Sequence, residues 1–407
     1  MHNLLPAFRS RNYRLFFTGQ LISLIGTWMQ QIAMIWLAYR LTDSAAMLGL
    51  VGFASQIPIL LFGTLAGVWS DRLDRRRLLL WTQFFSMLQA LVLFTLTLTG
   101  AVTPAYLVML AFLLGCINAI DLPTRQAFVA QLVEDKADLP NAIGLNSLLM
   151  NGARFVGPTL AGLIVATAGE AACFLVNAAS YLGVLIALAA IRLTPRTARQ
   201  PQAALTALRA GLTYAFQHPQ IRSSLLMVAG FSFFVTPYTV LMPVFARDIF
   251  HGAADTYGFL IGSAGIGSLS AALFLALRGR SGAADGLDRL VARATFAAGV
   301  ALSGFVIVAT LSAEPLWAYP LLSILGFSAV LTIAGSNTLI QTEVAEDFRG
   351  RVMAIFSTAF MGIAPLGSLA VGAIGEAFGV RPTLFACGLL ALALGITYLR
   401  QLQSSAA

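Results

Sequence analysis

Charge is what this chain has least of. Of its 407 residues only 10% are Asp, Glu, Lys or Arg, with one lysine, Lys136, and three histidines, His2, His218 and His251. An average soluble domain carries about 25% charged residues, so a water-facing surface cannot be built over most of this length. The histidines fall in connecting or terminal stretches, and no nucleophile, base or metal-ligating set gathers around them, which argues against an enzyme. Cys116, Cys173 and Cys387 are odd in number, far apart and embedded in apolar segments, so neither a disulfide framework nor a zinc site is indicated. No cofactor is expected. No carboxylate occupies the middle of any long apolar run.

What is abundant is apolar sequence: 58% of residues are hydrophobic and the mean hydropathy is +0.83. A bilayer core of about 30 Å needs about 20 apolar residues in a helix, because every backbone polar group must be satisfied within the segment. Twelve such spans can be laid down: 13–39, 45–69, 78–98, 103–124, 141–168, 171–191, 221–246, 255–277, 290–311, 315–341, 350–374 and 380–399. The first run, behind Arg9, Arg11 and Arg14, continues to Tyr39 without a small-residue cleavage site and reads as a retained helix.

The net charge of +8 comes from residues dispersed among short connections, so no nucleic acid is expected as a partner. Topology explains it instead. With both ends in the cytoplasm, 21 of the 25 basic residues fall on the cytoplasmic side, against Arg40, Arg247 and Arg381 outside and Arg154 within a span. The chain then divides into residues 1–191, a cytoplasmic linker at 192–220, and residues 221–407. Inside the linker, Leu205, Leu208, Leu212 and Phe216 recur at helical spacing, predicting a short amphipathic helix on the membrane surface. The two halves echo one another at offsets of roughly 207 to 212 positions, Gly49 and Gly52 answering to Gly258 and Gly262, and Pro158 to Pro365. Parallel repeats of six helices are one architecture of secondary transporters.

Between spans 2 and 3 lies Gly67, three residues, Asp71-Arg72, one residue, then Asp74, Arg75 and Arg76. This resembles the loop signature of the major facilitator superfamily, with Asp74 beside the position where that family usually has glycine. The resemblance implies an all-α polytopic membrane protein, twelve transmembrane helices in two pseudo-symmetric six-helix bundles. It also implies that Asp71 faces the start of the span beginning near Gly350 and that Arg75 pairs with Asp121 at the inner end of span 4, latching the cytoplasmic side. Span 5 carries Gly144, Ala153, Arg154, Gly157, Pro158, Ala161 and Gly162, which is similar to the facilitator antiporter motif with alanine for glycine at 153 and 161. Small residues at that spacing let helices approach closely and the proline bends the helix.

Pro123-Thr124-Arg125-Gln126-Ala127, Gly211-Leu212-x-Tyr214, His218-Pro219-x-x-Arg222, Gly157-Pro158 and the stretch from Phe174 to Tyr181 resemble the branch that holds the bacterial enterobactin exporter and related drug efflux proteins. That branch implies a multi-pass exporter of the bacterial inner membrane, usually driven by proton antiport. The alternative on the same scaffold is a flippase or importer of lipid-like or metabolite cargo. Arg154, about 20 Å into span 5 at 1.5 Å per residue, is the one basic residue that cannot be moved to a loop. It competes with Arg75 for Asp121, the best titratable candidate if protons are coupled.

Pseudo-symmetry puts spans 1, 4, 7 and 10 around a central cavity. They offer Gln30, Gln31, Met34, Phe234, Tyr238 and Asn337, together with Gln20, Trp28, Trp36, Phe231, Phe233 and Gln341. Aromatics, methionine and scattered amides suit an amphipathic organic cargo, whereas an anion site would be expected to need more charge. Gln31 is the strongest single cavity candidate. The expected partners are a small molecule, membrane lipid and protons, acting on a monomer.

Overall fold

The structure, a computed structural model, describes residues 5–191, 204–280 and 286–406, and only the backbone of residues 64–72, 136, 204–209, 279–280 and 404–406. Helices α1 (Arg11–Thr42), α2 (Ala45–Arg72), α3 (Arg75–Leu98), α4 (Pro104–Leu132) and α5 (Leu139–Ala190) come first. Helix α6 (Ala204–Gln217) follows, then α7 (Pro219–Phe234), α8 (Tyr238–Val244), α9 (Ala254–Arg280), α10 (Leu287–Leu311) and α11 (Ala318–Glu343). The last three are α12 (Glu346–Ser357), α13 (Ala364–Phe378) and α14 (Val380–Ala406). No strand occurs among the described residues.

Eleven runs among the described residues are long and apolar enough to cross a membrane. One of them, α5, is 52 residues long, more than twice the ~20 residues a crossing needs. Gly169 breaks it at φ 79° and ψ 172°, a backbone region that essentially only glycine occupies. The break leaves arms at 139–168 and 170–190, so the crossings among the described residues number twelve, as expected from the apolar runs. Helices α7 and α8 form one crossing, continued by π-helical turns over Phe245–Ile249, and α12 and α13 form another, joined by π-helical turns over Thr358–Gly362.

Local chemistry fixes the ends. Asp74 is the N-cap of α3, its carboxylate accepting from the amides of Arg76 at 2.9 Å and Arg77 at 3.2 Å. That role accounts for an aspartate beside the usual glycine position. Thr103 caps α4 ahead of Pro104, whose missing N–H is harmless in a first turn. Helix α4 runs through Pro123 to Leu132 rather than ending near 124, so Arg125 belongs to a helix and not to a loop.

Helices before residue 191 pack on one another through α1 with α5, α2 with α4, and α3 with α4 and α5; the later ones pack through α10 with α11 and α14, and α9 with α11. The two sets meet where α5 crosses α9 and where α2 crosses α13. A Cβ on Gly258 would lie 2.6 Å from the Pro158 carbonyl oxygen and 2.8 Å from Gly162 Cα; one on Gly49 would lie 2.6 Å from the Ser368 oxygen and 2.9 Å from Gly372 Cα. Gly258 follows Gly49 by 209 positions and Gly372 follows Gly162 by 210, so the two crossings are one contact built twice. Helix α6 lies against α12, with Gly211 and Ala215 inward and Leu212 and Phe216 exposed. Tyr214 of α6 stacks on Phe348 with ring centroids 4.3 Å apart.

Candidate functional site

Two ends and a middle carry the polar side chains. One end is marked by the arginine-rich hairpin between α2 and α3. Asp71 and Arg72 close α2 there, and Gly67 lies a turn before them; their side chains are outside the described residues. Arg76 reaches the last turn of α5, its Nε donating to the Leu188 carbonyl at 2.6 Å and its Nη2 to that of Ala189 at 2.7 Å. A cation on the final carbonyls of a helix satisfies acceptors that have no partner within it and opposes the negative dipole end.

At this same end Asp121 is 1% exposed and fully engaged. Its Oδ1 accepts from Thr82 Oγ1 at 2.7 Å and Gln83 Nε2 at 2.8 Å, and its Oδ2 from Arg125 Nε at 2.9 Å, with a second contact from Arg125 Nη2. Arg125 also donates to Gln20 Oε1 of α1 at 3.3 Å. The expected pairs of Asp121 with Arg75 or Arg154 are therefore replaced by a partner one turn along its own helix. An i,i+4 arginine on a continuous helix reaches its carboxylate without any rearrangement of neighbouring helices. Arg75 donates to the Ala127 carbonyl at 3.4 Å.

The opposite end is held by polar contacts between the two helix sets. Arg247 Nη1 pairs with Asp43 Oδ1 at 2.6 Å, and the Tyr39 hydroxyl donates to Asp248. Asp43 is the left-handed C-cap of α1, at φ 52°. Glu376 of α13 caps α2 from across the boundary: its Oε2 accepts from the amides of Ala45 at 2.7 Å and Ala46 at 3.2 Å and from Ser44 Oγ at 3.2 Å. Ser44 itself takes the Met47 amide at 3.2 Å. The capping of one helix is thus divided between the two sets. Within the first set, Arg40 Nε pairs with Glu170 Oε1 at 2.8 Å.

Between the ends lies the middle of α5. Gly157 lets α1 approach at Trp28 and Ile25, and Gly162 lets α9 approach at Ala254 and Gly258, around buried Pro158. Gly144 faces open space, so that position of the motif makes no close helix contact. Arg154 is exposed, with its guanidinium carbon 5.2 Å from the ring centroid of Trp28 on α1. Tyr238 of α8 is within electrostatic range of it.

The expected cavity residues separate into two groups. Gln31, Phe234 and Asn337 are half-buried, Phe234 edge-on to Phe233 with centroids 5.0 Å apart, and Asn337 accepting from Gln341. Tyr238 is 8% exposed and keeps Arg154 in range. Gln30 and Met34 do not line a cavity, being 1% exposed each. Gln30 donates to Gln89 Oε1 at 2.8 Å and accepts from Asn177 Nδ2 at 2.7 Å, a buried amide chain joining α1, α3 and α5. A polar group buried in that way is held because leaving it unpaired costs more than the bond contributes. Arg125 was recoverable from its spacing to Asp121; Glu376, Asp248 and Tyr257 carried no local signal.

Twelve crossings, glycine contacts repeated at the same offset and paired helix sets that meet along two crossings define a transporter of the major facilitator type. Residues 3–407 match the family described as transmembrane secretion effector, and the chain belongs to that family. It is similar to the staphyloferrin A transporter of Staphylococcus aureus (strain NCTC 8325 / PS 47), 26% identical over 389 residues and 94% of each chain. It is also similar to the multidrug efflux pump Tap of Mycolicibacterium fortuitum, 25% identical over 90% of this chain and 89% of that one. These relatives are transporters, not enzymes. Among solved structures, the nucleoside transporter NupG superposes with a TM-score of 0.72 at 13% identity, covering 95% of this chain and 98% of the other.

Proposed function

We propose that this protein exports amphipathic small organic molecules across the bacterial inner membrane by alternating access, as a monomer driven by proton antiport. In this reading residues 1–191 and 221–407 are the moving bundles, residues 192–220 the linker, and the arginine-rich end and both termini face the cytoplasm. The observation that carries it is the contrast along the bundle axis. The named polar contacts between the two sets, at Asp43, Tyr39 and Glu376, gather at the end away from the hairpin, while Arg154 at mid-depth is exposed. Contacts of that kind would hold the outer side shut in a state open to the cytoplasm. The names of the relatives, a siderophore transporter and drug efflux pumps, favour outward transport of organic cargo.

The hairpin of Gly67, Asp71, Arg72, Arg75 and Arg76 serves as the inner latch of the opposite state, closing against the span that begins at α12. Asp121 is the coupling candidate: its carboxylate holds Arg125, which also binds Gln20 of α1, so a change at Asp121 reaches a cavity helix. The test is uptake of ethidium and of a macrolide by inside-out vesicles. An acid-inside gradient should drive accumulation, and Asp121→Asn should abolish the dependence on that gradient. Accumulation only in right-side-out vesicles would replace export by import.

A further inference from the structure

Arg154 lies near the middle of the first arm of α5, about 22 Å from its start at 1.5 Å per residue. A cation at that depth is costly unless an anion or water meets it. Among the described residues no carboxylate lies within 4.0 Å of it and no side chain accepts from it. It lies over the face of Trp28 of the first set, and Tyr238 of the second set is within electrostatic range of it. The guanidinium therefore points into the space between the sets.

A second group there lacks a partner. The Tyr257 hydroxyl is buried and makes no hydrogen bond, although its residue is only 1% exposed. Its ring stacks on Trp36 with centroids 5.9 Å apart, and it is within electrostatic range of Tyr238. Buried hydroxyls without partners are rare, since an unmade bond costs more than a made one contributes. Arg154 beside Trp28 and Tyr257 stacked on Trp36 are thus two hydrogen-bond donors along α1 with no acidic acceptor among the described residues, and Tyr238 is within electrostatic range of both.

We infer that these donors form an oxyanion subsite within the transport path, which takes the carboxylate, or a like-charged group, of a cargo whose apolar body lies against Trp28 and Trp36. The inference rests on the transport reading above and narrows its cargo class. It departs from the sequence expectation that an anion site needs more charge: one guanidinium with no carboxylate beside it among the described residues suffices, because its charge-assisted hydrogen bonds are still free to be made to the cargo.

The experiment is quenching of tryptophan fluorescence in the full-length protein in lipid nanodiscs, titrated with three matched probes: pyrenebutyrate, pyrenebutyramide and pyrenebutylammonium. The wild type should bind the carboxylate about tenfold more tightly than the amide, the margin of one charge-assisted hydrogen bond, and bind the ammonium most weakly. Arg154→Gln should bring the carboxylate down to the level of the amide, Arg154→Lys should keep most of the preference, and Tyr257→Phe should lose about threefold of it. Where Arg154→Gln fails to fold, the lysine and Tyr257→Phe variants decide. Equal affinity of the wild type for carboxylate and amide, a preference that survives Arg154→Gln, or no binding of any probe would each overturn the subsite. Amide export by vesicles without carboxylate preference would sink this inference and leave transport intact. Arg154-dependent binding with no movement of any probe would do the reverse.

Discussion

Removing the side chain of Glu376 should open the end of the bundle that lies away from the arginine hairpin. Its carboxylate accepts three hydrogen bonds at the start of α2, from Ala45, Ala46 and Ser44, at 2.7 to 3.2 Å, and it does so from the other helix set. Loss of an N-terminal cap costs about 0.5–2 kcal/mol, and loss of a negative charge at that dipole end about 0.3–1 kcal/mol. Glu376 is exposed, which places the sum toward the lower part of those ranges, at about 1–2 kcal/mol, or a factor of about 5–30 in the ratio of shut to open forms. The assay is a distance distribution between spin labels at Thr99→Cys and Glu314→Cys, both in exposed connections at that end, in a background with the native cysteines replaced. Glu376→Ala should populate a longer distance, and Glu376→Gln, which keeps an acceptor but no charge, should shift it less. An unchanged distribution in Glu376→Ala would refute the claim that this cap holds the two sets together.

Three further outcomes follow from the packing. At the α5–α9 crossing, Gly258→Ala puts a methyl against backbone atoms 2.6 and 2.8 Å away, which cannot turn aside; thermal unfolding should show a loss of about 1–3 kcal/mol. Gly144→Ala, facing open space in the same motif, should be neutral or stabilising by up to about 1 kcal/mol in the same measurement. Gln30→Ala strands Gln89 and Asn177 in the buried amide chain, so stability should fall by about 1–3 kcal/mol while the ratio of transport rates for different cargoes stays the same.

Hydropathy made the crossings legible, because the length a bilayer demands is written directly in the apolar runs, and the small residues of span 5 pointed to a close approach, which Gly162 makes with Gly258. What escaped was decided by distance along the chain or by a misplaced boundary. Arg125 falls just outside the apolar run 103–124 that marks span 4; once α4 is seen to run on to Leu132, the spacing of four to Asp121 makes the pair nearly obligatory. Gln30 was assigned to a cavity since a polar residue amid apolar ones suggests a ligand; its amide partners lie 59 and 147 positions away, and no periodicity encodes them. Glu376 and the start of α2 are separated by 331 positions, and only the assembled bundles bring a carboxylate to those amides. Depth alone singles out Arg154 in the sequence, but that no acid among the described residues pairs with it is visible only once Asp121 is seen to be occupied elsewhere.

The turn at Gly169 contains a single non-helical residue. A hairpin with so little slack cannot absorb a tilt of one limb, so any lean of the first arm of α5, the limb that crosses α9 and bears Arg154, is handed straight to the second, whose far end is gripped by Arg76. The glycine thereby acts as a rigid elbow: lengthening it with a few flexible residues would let the two limbs move out of step, and cargo movement would lose its connection to the hairpin on the other face of the membrane.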